Sequence, residues 1–212
     1  MNKPSLILTM GDPSGVGPEI VVKSIIKWDV EAIPIVVGDR KILQKAEEIQ
    51  GVKIPWSDFP SSRGVGPFLC DLDNVDLASF SWGKISPSMG RASYEYIEKA
   101  IELMKEGRGE GVVTAPINKE AIHKAGIPFI GHTEIFQELT HSSEALTMFQ
   151  VKSLRVFFFT RHLPLKEAIE KIKKDKIAEF IPRMHYYLQR LGLAHPRIAV
   201  AALNPHGGEG GL

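Results

Sequence analysis

The sequence has little that would tie it to an oxidising compartment, a membrane or a nucleic acid. Cys70 is its only cysteine, which excludes an intrachain disulfide and fits a reducing compartment. Charge of one sign is also lacking: 26 basic side chains face 25 acidic ones, for a formal net charge of +1. That balance leaves no electrostatic footprint for nucleic acid or an anionic membrane. Lys171, Lys173, Lys174 and Lys176 do cluster, but acidic neighbours flank them and they read as a solvated helix surface. The apolar run Leu6-Ile7-Leu8 is far shorter than the roughly 7–15 residues of a signal segment or the ~20 of a membrane span. The expected location is therefore cytoplasmic. Neither an internal repeat nor a low-complexity linker interrupts the chain.

What is present is 212 residues with 43% hydrophobic side chains, enough for one large α/β domain or two small lobes. Apolar runs of strand length alternate with segments of helical period. Strands are expected at 5–10, 33–37, 111–115, 145–150, 154–160 and 197–203, with an extended piece at 67–72. The run at 154–160 is the most apolar and is expected to be central. Helices are expected from Pro18, at 41–50 up to Gly51, at 90–106 up to Gly107, at 119–125, from Glu134, at 165–173 and at 175–191. Pro18 suits a first helical position, where its missing N–H would be unpaired anyway. Ile97, Ala100, Ile101 and Met104 fall on one face of the 90–106 helix. Pro182 should kink or break the last helix, and Pro55, Pro60, Pro67 and Pro87 break up residues 51–90. This alternation implies an α/β fold with a largely parallel sheet, in which ligands bind at the carboxyl ends of strands. Four loops with unusual chemistry follow expected strands: 11–17, 116–119, Arg161-His162 and 204–211.

Each motif carries two readings. Gly11-Asp12-Pro13-Ser14-Gly15-Val16-Gly17-Pro18-Glu19 lacks the lysine of a Walker loop after Gly17, and Ile20 stands where a dinucleotide fingerprint needs its third glycine. It is either a tight structural turn or an anion contact at a helix start. In Gly131-His132-Thr133-Glu134, Thr133 either caps a helix beside a surface His132, or the two side chains bind a polar small molecule. His162 and His206 are metal candidates: both follow apolar runs, both lie near proline, and neutral imidazole suits zinc, iron, cobalt or nickel. Catalytic metal sites often use three protein ligands, and no third is evident. His123, His141, His185 and His195 look ordinary.

Taken together, the segments are more specific. Leu8–Ile20, Gly83-Lys84-Ile85-Ser86 with Gly90-Arg91-Ala92-Ser93, and Val113-Thr114-Ala115-Pro116-Ile117-Asn118-Lys119 are followed in order by three more blocks. These are Gly131-His132-Thr133-Glu134, Thr160-Arg161-His162-Leu163-Pro164-Leu165 and Leu203-Asn204-Pro205-His206. The ordered set resembles the 4-hydroxythreonine-4-phosphate dehydrogenase family of pyridoxal phosphate biosynthesis. Gly207 departs from the alanine usual in that family, a small change.

The resemblance implies an isopropylmalate dehydrogenase-like α/β fold of two lobes, 1–115 and 116–212, with a cleft between them and a homodimer whose active site lies at the interface. It implies NAD or NADP, a divalent metal (zinc, magnesium or cobalt) and a small phosphorylated hydroxy-amino-acid substrate. The 3-hydroxyl of 4-phosphooxy-L-threonine would be oxidised and the keto acid decarboxylated to 3-amino-2-oxopropyl phosphate. His132 and Thr133 would contact substrate, and His162 and His206 would bind metal. By the same resemblance the third metal ligand, further substrate ligands and much of the cofactor site would lie beyond residue 212, so the glycine-rich end at 204–212 is expected to mark a missing C-terminal part. This chain alone is then expected to turn over weakly or not at all. Alternatives within reach of the sequence are a dehydrogenase of threonate or erythronate 4-phosphate and a non-catalytic remnant that binds metal or phosphate. An acyl-phosphate transferase of similar architecture is disfavoured by the two histidine motifs.

Overall fold

The computed structural model describes residues 3–59, 66–129 and 131–210. Pro60, Gly211 and Leu212, which figure in the sequence reading, lie outside them. The chain divides into two compact units, Met1–Ala145 and Leu146–Leu212.

The first unit is built on an all-parallel, five-stranded sheet. Its elements are β1 (Ser5–Thr9), α1 (Gly17–Ile26), β2 (Ile33–Gly38), α2 (Arg40–Gln50), β3 (Ser57–Asp58), β4 (Phe68–Asp71), α3 (Pro87–Lys105), β5 (Gly111–Thr114), α4 (Lys119–Lys124) and α5 (His132–Thr140). The strand order is β3-β4-β2-β1-β5, with every pairing parallel. The apolar runs of β1 and β2 are inner strands, and Ile7, Leu8, Ile35, Val36 and Val37 form the core with Ile42 and Leu43 of α2 and Tyr96 and Ala100 of α3. Parallel strands covered on both faces need such continuous apolar runs.

Helix boundaries follow local chemistry. Asp39 caps α2, accepting from the backbone N–H groups of Lys41 and Ile42 at 2.9 and 3.2 Å, and also from that of Val75 at 2.9 Å. Its carboxylate is fully buried, and these three donors offset its desolvation. Gly51 ends α2 in the left-handed conformation, φ 64°. Gly90 lets α3 meet α4 backbone to backbone, since a Cβ there would lie 2.1 Å from the Ala121 carbonyl oxygen. A second apolar cluster of Tyr94, Ile97, Ile122, Ile127 and Ile135 then ties α3, α4 and α5 together. The first compact unit extends to Ala145.

The second unit departs further from expectation. It holds β6 (Met148–Val151), β7 (Leu154–Phe157), α6 (Leu165–Lys171), α7 (Lys174–Arg190) and a 3-10 turn at Pro205–Gly208. The apolar run at 154–160 is not a central strand: β7 pairs only with β6, antiparallel, in a two-stranded ribbon. Lys152 turns the ribbon with φ 54°. Phe149, Val151, Leu154 and Val156 remain 41–68% exposed. Residues 197–203 form no strand either; an apolar run becomes a strand only where a partner edge receives its N–H and C=O groups. Helix α7 runs through Pro182 as one element, so of the kink or break expected there the break does not occur.

Candidate functional site

In the first unit the strand order reverses between β1 and β5. From β1 the chain moves outward to β2, and from β4, on that same side, it crosses to β5 on the other. Ligands of open α/β sheets bind at this point, outside the carboxyl ends of the strands. The loops leaving β1 and β5 are the two sequence blocks 11–17 and 116–119, now in contact. The Asp12 N–H donates to the Pro116 carbonyl at 3.0 Å.

The glycines of the first loop serve this packing. Gly11 has φ 75°, and a Cβ on it would fall 2.4 Å from the Pro116 oxygen. One on Gly17 would fall 2.2 Å from the Met10 oxygen. These close approaches account for both residues without a ligand. Both glycine-enabled contacts are to protein carbonyls, one in the neighbouring 116–119 loop and one at the end of the strand that feeds the turn. Asp12 is buried and accepts from the Ser14 N–H at 2.9 Å. Burial raises its carboxyl pKa, and that hydrogen bond offsets part of the rise. The Ser14 and Thr9 hydroxyls are buried without a partner among the described residues. The Gly83 N–H donates to the Ser14 carbonyl at 2.7 Å, which brings the Gly83-Lys84 block to the same loop.

Helix α4 starts where Asn118 accepts from the Ala121 N–H at 2.9 Å, placing Lys119 at its first residue. Helix α5 starts at His132 with extended Gly131 as its N-cap and no side-chain cap. Thr133 therefore lies inside the first turn and does not cap it, against one of its two readings. His132 is half-buried, stacked on Phe136 with ring centroids 6.1 Å apart. Its Nε2 is buried without a partner among the described residues, and burial lowers the imidazole pKa. A neutral ring with an unsatisfied nitrogen is ready to bond to a polar ligand. A Cβ on Gly131 would meet the Lys119 Cε and the Glu134 carboxylate at 3.7 Å each, so the lysine stem and the first turn of α5 are neighbours. Sequence reasoning assigned Lys119 no role. The available signal was a cation at the positive end of a helix.

The other two candidate histidines belong to the second unit. His162 and His206 are both exposed and both left-handed, with φ 54° and 53°. Left-handed backbone is uncommon for a residue with a side chain and clusters at functional positions. Among the described residues no three His, Cys, Asp or Glu side chains converge as a metal site would require. Two imidazoles are thus a chemically suitable but partial donor set. No described helix is long and apolar enough to cross a membrane.

The first unit is an open parallel α/β sheet with two of its unusual loops gathered at the strand-order reversal, the point at which proteins of this class bind small molecules. Comparison with known proteins narrows that class. Residues 30–212 match the family described as pyridoxal phosphate biosynthetic protein PdxA, and the chain belongs to this family. It is 43% identical, over 99% of its length and 65% of the relative's, to a Symbiobacterium thermophilum protein named "Putative D-threonate 4-phosphate dehydrogenase". Among solved structures, the 4-hydroxythreonine-4-phosphate dehydrogenase of Burkholderia phymatum is 35% identical with a TM-score of 0.86, covering 98% of this chain and 65% of that one. The enzyme of that name from Klebsiella pneumoniae is 30% identical with a TM-score of 0.89, covering 99% and 65%. The chain therefore spans 65% of the length of these relatives.

Proposed function

We propose that this chain belongs to a metal-assisted, NAD- or NADP-dependent dehydrogenase that oxidises the 3-hydroxyl of a 4-phosphorylated C4 hydroxy acid and releases its carboxylate as CO2. The observation that carries the reading is the family match combined with the placement of its blocks. Two of them meet at the β1/β5 reversal, and a third supplies a half-buried imidazole whose Nε2 has no partner among the described residues.

In this reading His132 and Thr133 hold the substrate. His132 is neutral near pH 7 because burial holds its pKa down, so Nε2 can accept a hydrogen bond from a substrate hydroxyl or, as the other tautomer, donate one to an oxygen. Thr133 adds a hydroxyl from the same helix turn. His162 and His206 would hold the cation, and imidazole donors favour zinc or cobalt over magnesium, which takes oxygen ligands. Such a cation supplies Lewis acidity toward the substrate hydroxyl and the carbonyl that oxidation creates. The third ligand, the nicotinamide site, the two-lobed isopropylmalate dehydrogenase-like arrangement with its cleft, and the homodimer with a shared active site are parts of the same proposal, as is a cytoplasmic location.

Two substrates fit this chemistry. With 4-phosphooxy-L-threonine the product is 3-amino-2-oxopropyl phosphate, a step of pyridoxal phosphate synthesis, in line with the family description. With D-threonate 4-phosphate, oxidation and decarboxylation give dihydroxyacetone phosphate. The higher identity to the relative named for that substrate favours this second reading. NADH or NADPH formation at 340 nm, measured on the full-length native gene product with each substrate and added zinc or cobalt, tests both. Metal-dependent turnover of one substrate, abolished in His206→Ala, is the expected result. No turnover of either substrate with either nucleotide would overturn the proposal.

A further inference from the structure

The first unit contains a cation that the fold does not use. Lys119 is exposed at the first residue of α4, the end of a helix at which positive charge is unfavourable. Several other lysines of the first unit are paired. Lys124 pairs with Glu120 at 2.8 Å, Lys99 with Glu102 at 3.0 Å, and Lys105 donates to the Leu139 carbonyl at 2.7 Å. No carboxylate among the described residues lies within ion-pair distance of Lys119, although Glu134 also borders Gly131.

Its position is nevertheless fixed. Asn118 caps the turn that carries it, and the backbone contact between Gly90 and Ala121 locks α4 onto α3. From there the lysine stem passes over Gly131, with Cε 3.7 Å from where a Cβ would stand. That glycine directly precedes His132, whose Nε2 is buried and has no partner among the described residues. The stem of an ammonium with no ion pair among the described residues thus lies against the residue that precedes an imidazole whose Nε2 has no partner among them, a pairing suited to an anionic oxygen group.

We infer that Lys119 is a substrate-binding residue of this site, its ammonium contacting a negatively charged oxygen group of the ligand that His132 and Thr133 hold. The inference rests on the proposed function and adds a residue to it. The group is the phosphomonoester or the carboxylate, both of which an ammonium binds as a point charge. Nothing in the fold depends on this side chain, so its removal should spare folding.

Calorimetric titration of the native polypeptide tests this with 4-phosphooxy-L-threonine, D-threonate 4-phosphate and the unphosphorylated parent of each. Lys119→Ala should weaken the better-bound phosphorylated ligand by about tenfold or more, the worth of one charge-assisted hydrogen bond. Lys119→Arg, which keeps the charge, should recover most of the loss, and both variants should keep the wild-type melting temperature. If the unphosphorylated parent is indifferent to Lys119→Ala, the contact is to phosphate; if it loses affinity by the same factor, the contact is to carboxylate. Unchanged affinity in Lys119→Ala, with binding weakened in His132→Asn, would overturn the inference and leave the site standing. Unchanged affinity in both variants, or no binding by the wild type, would overturn the inference and the substrate role of His132 together.

Discussion

The two units of this chain treat similar apolar sequence in opposite ways. In the first, β1 and β2 are flanked by parallel partners, and Ile7, Val36 and Val37 are fully buried. In the second, the equally apolar β7 has one partner, and Leu154 and Val156 are 64% and 41% exposed. Met184 and Leu188 of α7 are the buried apolar side chains among the described residues there. Burial is thus a property of the pairing available to a segment more than of its composition. The candidate site residues divide in the same way. His132, Thr133 and Lys119 stand on elements locked by the apolar cluster under α3, α4 and α5, whereas His162 and His206 lie in exposed, left-handed turns.

Substitutions can break this contrast, and the largest effect should come from the sheet. Leu69 of β4 is 1% exposed; Leu69→Ala should lower unfolding stability by about 3 kcal/mol through lost burial and the cavity left behind. Gly90→Ala should cost about 2 kcal/mol, because the added methyl forces α3 away from the Ala121 backbone. Urea unfolding midpoints at constant slope would check both.

A third effect is one of pH. An imidazole held below its ordinary pKa binds its proton more weakly in the folded chain than in the unfolded one. The unfolded state therefore takes up protons first, and stability falls as pH drops below the unfolded value near 6.5, levelling off once the folded pKa is passed. His132→Gln removes this component, so the variant should lose less stability than the parent on acidification; parallel profiles would contradict the burial assigned to His132. The smallest effect belongs to the ribbon: Leu154→Ala should change stability by no more than about 0.5 kcal/mol, as surface substitutions do. A loss comparable to that of Leu69→Ala would show that β7 is buried in the native protein.

Much of the first unit is legible in the sequence, because its signals are local. The apolar runs of β1 and β2, the one-sided pattern of Ile97, Ala100, Ile101 and Met104, and the stop at Gly51 each act within a few residues of where they are read. The placement of blocks 11–17 and 116–119 at strand ends is legible for the same reason. What stays hidden depends on distant partners. Residues 154–160 read as a central strand because nothing in them reports whether a second neighbour exists. The contact between Asp12 and Pro116, and the passage of Lys119 over Gly131, join residues far apart in the chain. The glycines of the first loop could be read either way until the Pro116 and Met10 carbonyls were seen against them.

In the proposed function substrate is held in the first unit, between the loops at the β1/β5 reversal and the start of α5. Amide hydrogen exchange of the native polypeptide, with and without the phosphorylated ligand and metal, tests it without requiring turnover. Ligand-dependent protection at 116–119 and 131–136 is the predicted result. Protection elsewhere in the chain, with these two segments unchanged, would contradict the account.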